Sequence, residues 1–289
     1  MKPFGNYLTM CDRAAEMSGR SLRLSILDQS PVPEGKTHGQ ALRNSVALAK
    51  AAEAFGYHRY WVAEHHALSG HACIAPEVLV AAIAGETRRM RVGSGAVLLT
   101  HYSAFKVAEV FAALAGLFPQ RIDLGVARAP GTRPETVHAL QRDRRRRRKD
   151  DFPEQLSELA DIVQGRVPPQ LSSESVANLV RCDMPELWLL GSSPYSAGLA
   201  ASLGLPYAYA DFCWSSRASA MEAYAGDDKA PPAIVAISVT GSPRRVRDAI
   251  ETAARDYGVG EVMILIEAAD HAARVRSYER IAREFGLQT

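Results

Sequence analysis

Eight short apolar runs recur along the chain, each rich in β-branched or aromatic residues, and the stretches between them carry apolar residues three and four positions apart. The first pattern fits buried strands and the second fits helices with one buried face. Strands are predicted at Leu22–Asp28, Arg59–His66, Met90–Leu99, Arg121–Val126, Glu186–Leu190, Pro206–Ala210, Ala233–Val239 and Glu261–Ile266. Helices are predicted at Gly39–Phe55, Pro76–Thr87, Ala104–Leu117 and Asp151–Val163, then from the Gly191-Ser192-Ser193 turn to Leu203. Three more follow at Trp214–Ala225, from Gly241-Ser242-Pro243 to Tyr257, and at Asp270–Phe285. Residues 164 to 183, with Pro168-Pro169 and several serines, read as a long loop, and long loops in compact domains are often functional. Strict strand–helix alternation predicts a parallel sheet, and eight such units need about 250 residues as a (β/α)8 TIM barrel. The 289-residue chain therefore divides into an extension at 1–20 and one barrel domain at 21–289.

In such barrels ligands gather at the carboxyl ends of the strands. The second strand runs into Glu64-His65-His66 there. Strand alternation puts Glu64 and His66 on one face and His65 on the other. Taken alone, the two histidines fit a polar site or an exposed loop equally well. Gly93 and Gly95 interrupt the third strand, a costly choice that marks a bulge or a close neighbour. Either a flat ring lying on the strand or a helix packed against it would account for them. The Gly191-Ser192-Ser193 turn opens a helix, where free N–H groups and the positive helix end suit an anion. Simple capping by Ser192 or Ser193 is the alternative. The Gly241-Ser242-Pro243 turn competes for the phosphate role, because barrels often hold phosphate after strands seven and eight.

Charge and cysteine usage narrow the picture. The 34 basic residues nearly match the 32 acidic ones, which argues against a nucleic-acid or membrane-surface partner. A basic run at 142–149 reads as a solvated face or loop, since no aromatics are interleaved to make it a nucleic-acid site. Cys11, Cys73, Cys182 and Cys213 lie far apart and read as reduced thiols of a cytoplasmic protein. No apolar run approaches the roughly 18 residues of a membrane span. Residues 1–20 lack the apolar core of a secretory signal.

The chain resembles the luciferase-like flavin monooxygenases, the superfamily of bacterial luciferase, in a series of ordered blocks. These are Tyr60-Trp61-Val62-Ala63-Glu64-His65-His66, the strand Val92 to Val97, Arg121 through Thr132, Asp151 through Gln155, Leu187 through Ala197, and Asp270 through Glu279. The resemblance implies a luciferase-like (β/α)8 barrel that binds reduced FMN at its top face and reacts it with O2. By motif position, His65 matches the histidine that the luciferases use near the oxygenated flavin, and Glu64 matches the acid beside it. Gly95 and Ala96 match positions against the isoalloxazine ring. Arg128 matches an arginine that holds the flavin phosphate, with a salt bridge within the barrel wall as the alternative, and Ser192, Ser193 and Ser196 fall at the turn near that phosphate. An imidazole is also the side chain that titrates near neutral pH, as proton transfer there would need.

Two departures stand out. Relatives carry several dozen residues between the seventh strand and the helix after it, where this chain runs from Val239-Thr240 almost directly into Gly241-Ser242-Pro243. Relatives often place a histidine after the sixth strand, where this chain has Asp211-Phe212-Cys213-Trp214. The leading expectation is an FMN-dependent monooxygenase acting on a small organic substrate, with reduced FMN supplied by a separate flavin reductase because no second G-x-G-x-x-G unit is present. A deazaflavin-dependent oxidoreductase and a non-catalytic flavin-binding protein or subunit are the alternatives. A homodimer through the helices after strands two and three is implied by the resemblance, and no metal is expected.

Overall fold

In a computed structural model the described residues are 22–141, 151–179, 183–213, 232–268 and 270–287. The expected extension at 1–20, the basic run at 142–149, Cys11, Cys182 and the helix expected at Trp214–Ala225 lie outside them.

Eight parallel strands close into a barrel, in sequence order around the ring. They are β1 (Arg23–Asp28), β2 (Arg59–Val62), β3 (Arg91–Leu98), β4 (Ile122–Ala127), β5 (Glu186–Gly191), β6 (Tyr207–Ala210), β7 (Ile234–Ser238) and β8 (Glu261–Leu265). Closure is made by β1 on β8, with Leu24 opposite Val262 and Ile26 opposite Ile264. Helices α1 (His38–Ala54), α2 (Pro76–Glu86), α3 (Ala104–Leu117), α4 (Pro134–Leu140), α5 (Phe152–Val163), α6 (Ser173–Leu179), α7 (Pro194–Leu203), α8 (Pro243–Tyr257) and α9 (His271–Glu284) accompany the strands. Their sequences say why they form. Thr37 caps α1 by accepting from the Gln40 N–H, Pro76 opens α2, and α8 buries Val246, Ile250, Ala253, Ala254 and Tyr257 at helical spacing.

The expected long loop at 164–183 contains α6, and α4 was not expected either. Each is short and polar: α6 buries only Val176 and α4 buries nothing, so neither carries a periodic apolar face to be read. Strand β2 stops pairing at Val62, and Leu99–His101 forms a 3-10 turn after β3.

The barrel interior is a packed core, filled near its middle by Leu27, Trp61, Trp188 and Met263. Its lower end holds an ion cluster. The Arg59 guanidinium, 4% exposed, donates to Glu261 Oε1 at 2.6 Å and Asp123 Oδ2 at 2.8 Å, and lies 4.9 Å from the Trp188 ring. Ser25 Oγ donates to Glu261 at 2.6 Å and Trp61 Nε1 to Asp123 at 2.8 Å, so the buried charges are paired and hydrogen-bonded.

This packing also accounts for the glycines of β3. A Cβ on Gly93 would sit 2.3 Å from the Asp123 carbonyl, and one on Gly95 would sit 2.9 Å from Leu27 Cδ1 and 3.0 Å from Trp61 Cβ. The crowded barrel interior is by itself reason enough for both glycines. The β3–β4 register shifts between Ser94 and Val97, and the Gly95–Ala96 peptide is cis.

Candidate functional site

A cavity of about 310 Å³ opens at the carboxyl ends of the strands. The ends of β1 to β6 bring their loops to it. Glu64, His65, Gly95, Ala96, Arg128, Ser192, Ser193 and Ser196 all line it. The volume lies at the small end of the range typical of ligand pockets.

Glu64, 2% exposed, is held by three hydrogen-bond partners. Its Oε1 accepts from Tyr102 Oη at 2.6 Å and meets His66 Nε2 at 2.5 Å, while Oε2 accepts from the Leu98 N–H at 2.9 Å. The expected sharing of a face by Glu64 and His66 takes the form of this bond. Burial and the neighbouring Glu64 carboxylate hold the Tyr102 hydroxyl well above its ordinary value, so it remains a donor. The loop after β4 locks onto the same group, because Thr132 Oγ1 donates to the His66 carbonyl at 2.5 Å.

His65 lines the cavity beside Glu64. Burial, and next the neighbouring His71, bring its imidazole down to about 4, so it is neutral at physiological pH. Desolvation thus shifts this imidazole to the acid side of the neutral range expected of it. Its Nδ1 is buried and has no hydrogen-bond partner among the described residues.

The other end of the cavity is built by β5 and α7. Ser193 caps α7 in a reciprocal box with Ser196, whose hydroxyl also meets Tyr207 Oη at 3.1 Å. Pro194 brings no N–H, and the N–H groups of Ser193 and Ser196 are taken by the box. Capping is thus what Ser193 and Ser196 do in the fold, and Arg128 lines the same cavity. Gly191 permits the tight turn, since a Cβ there would meet Ser196 Oγ at 2.3 Å. The Arg128 guanidinium lies 5.0 Å from the Tyr195 ring, at cation–π range. Arg128 and the Gly191 turn share the cavity, whereas Gly241 and Pro243 line a separate groove of about 270 Å³ beside α8 and α9. Geometry therefore separates the two candidate turns.

Between these ends the wall is made of small or apolar residues, including Ala63, Ala96, Ala127 and Leu190. Phe212 and Cys213, from the stretch where relatives often place a histidine, also line the cavity. So do Gln29 and Tyr195, which were not singled out from sequence: Tyr195 lay within a longer motif, and Gln29 had only its position after a strand to mark it. Among the described residues no cluster of metal-ligating side chains occurs, and no helix is long and apolar enough to cross a membrane.

A profile of the luciferase-like monooxygenases matches residues 22–285. A luciferase-like monooxygenase of Escherichia coli (strain K12) is 43% identical over 195 residues, which are 67% of this chain and 57% of that protein. An N-acetyl-S-alkylcysteine monooxygenase of Bacillus subtilis is 44% identical over 192 residues, 66% of this chain and 57% of that protein. The chain thus matches little more than half the length of these relatives. The crystal structure of apo-MsnO8 superposes with a TM-score of 0.79 at 34% identity, covering 92% of this chain and 99% of the other. The barrel itself recurs in the oxygenating constituent of 3,6-diketocamphane monooxygenase from Pseudomonas putida in complex with FMN (TM-score 0.70, 17% identity, 91% of this chain and 98% of that one).

Proposed function

The chain belongs to the luciferase-like monooxygenase family, and from that premise we propose that it is an FMN-dependent monooxygenase, using reduced flavin and O2 to oxidise a small organic substrate. One observation carries the reading: a single cavity joins a guanidinium and serine hydroxyls at one end, small apolar residues along the wall, and a neutral imidazole at the other. That layout fits a phosphorylated, flat, largely apolar ring system, whereas a uniformly polar or metal-ligating cavity would not.

In this reading Arg128 supplies the charge opposite the phosphate, kept in place by the Tyr195 ring, and the hydroxyls of Ser192, Ser193 and Ser196 complete that end. Gly95 and Ala96 form the wall against which the ring lies. Bound reduced FMN supplies the activation of dioxygen. Neutral His65 brings one N–H and one lone pair to the cavity wall, able to give or take a proton there. Glu64 acts through others, holding Leu98, Tyr102 and His66 around the site. A separate flavin reductase supplies the reduced cofactor. A homodimer is supported by exposed Ile74 (58%) and Val78 (66%) at the start of α2. We place the protein in the cytoplasm, in keeping with Cys73 and Cys213 as free thiols.

A second reading, a flavin-binding subunit without turnover, is favoured by one observation. Only residues 239–242 separate β7 from α8, so that connection contributes no cover over the cavity. Titration of the purified chain with FMN, reduced FMN and a deazaflavin, followed by oxygen-dependent product formation across a substrate panel, tests both. Tight FMN binding with product supports the monooxygenase. Binding without product supports the subunit, a preference for the deazaflavin overturns the FMN assignment, and no binding of any flavin overturns both readings.

A further inference from the structure

His71 is absorbed by none of the roles above, yet its ring stacks on that of His65, with centroids 4.3 Å apart and planes 28° from parallel. We propose that His71 is a positioning residue for His65, holding its imidazole in one orientation at the cavity wall through this stack and an anchor on Gln29. His71 Nε2 donates to Gln29 Oε1 at 3.3 Å, which fixes the tautomer of a neutral His71, and Gln29 itself lines the cavity.

The two loops are joined so that the contact is built in. Val32 N–H donates to the Gly70 carbonyl at 2.9 Å and Ala72 N–H to the Ser30 carbonyl at 3.0 Å, around a bridge between Pro31 and His71. His65 N–H donates to the Cys73 carbonyl at 2.9 Å, closing the loop that carries both histidines. The loops after β1 and β2 therefore act as one clamp, with Gln29 on one arm and both histidines on the other.

The charges agree with that geometry. Facing His65 are His71 and His66, which oppose its protonation, and Glu64, which favours it, while burial outweighs them all. Facing His71 is Glu267, against a lowering by burial. A charge on either ring opposes one on the other, so two stacked imidazoles resist a second proton.

The inference rests on the proposed function for its consequence in catalysis, but its test does not need flavin. Histidine-selective NMR titration of the flavin-free chain reads His65 directly. In His71→Ala the His65 transition is expected to rise by roughly one pH unit or more, as stacking cover and charge are both lost. In His71→Phe, which keeps a flat ring, a smaller rise is expected. An unmoved His65 transition in either variant overturns the inference, and so does an equal rise in both, which would leave the stack with no part. If His71→Ala does not fold, His71→Phe alone decides by whether His65 moves. In the loaded enzyme the acid limb of product formation follows the same order. A working enzyme whose His65 ignores His71 overturns this inference alone, whereas failure to bind flavin overturns the proposed function and leaves the titration intact.

Discussion

Replacing Glu64 with Gln removes one charge from a group with no room to compensate. The carboxylate is 2% exposed and receives the Leu98 N–H, the Tyr102 hydroxyl and His66 Nε2. A glutamine oxygen can still accept from Leu98, but its NH2 then faces two groups that were donors. Tyr102 can reverse its hydroxyl and His66 can change tautomer, so each contact survives as a neutral hydrogen bond. Bonds to an ionised acceptor exceed neutral ones by about 1 kcal/mol each, which over three bonds makes a loss of roughly 3 kcal/mol. Glu64→Ala should cost more, by about 1–3 kcal/mol, because the Leu98 N–H is then buried with no acceptor. Urea unfolding monitored by fluorescence gives the difference, and hydrogen exchange at the Leu98 amide localises it. Glu64→Gln within about 0.5 kcal/mol of the parent, with Leu98 exchange unchanged, would refute the assignment of Glu64 as the knot of the site.

Arg128→Gln should weaken FMN binding by roughly 10- to 100-fold, while riboflavin, which lacks the phosphate, should bind both proteins alike; equal loss for both ligands would count against a phosphate contact. Gly191→Ala should unseat the α7 cap, since its Cβ would fall 2.3 Å from Ser196 Oγ, and should lower FMN affinity more than thermal stability. Gly93→Ala should instead lower stability by about 3 kcal/mol or prevent folding, because its Cβ would meet the β4 backbone at 2.3 Å, and circular dichroism melting reads it. His65 sits below its ordinary 6.5, at about 4, so the unfolded chain binds that proton first. Its stabilising share is complete above about 6.5 and is lost as pH falls to about 4, roughly 3 kcal/mol that His65→Gln should abolish in urea titrations at the two pH values.

The barrel was legible because strong apolar runs such as Arg121–Val126 alternate with helices whose buried faces recur at regular spacing. What stayed hidden had weak local signals. Helix α6 buries only Val176, so its sequence reads as loop. The glycines of β3 announced crowding, but nothing local identified Asp123, Leu27 and Trp61 as the cause, because closure of the ring brings them there. Arg59 and Glu261 meet across 202 residues for the same reason. In the site, Glu64, His65 and Arg128 stood out as polar residues just past strands. Gln29 and His71 did not, since their meeting depends on two loops pairing side by side. The downward shift of His65 was hidden too, because sequence gives residue type and not solvent access.

The ion cluster of Arg59, Asp123 and Glu261, with Trp61 and Trp188 above it, has a kinetic consequence. It turns the barrel into a blind well, stoppered from below, so among the described residues nothing offers a back door. As far as the described residues go, arrivals and departures would share the open top, and whatever settles deepest would be the last to leave.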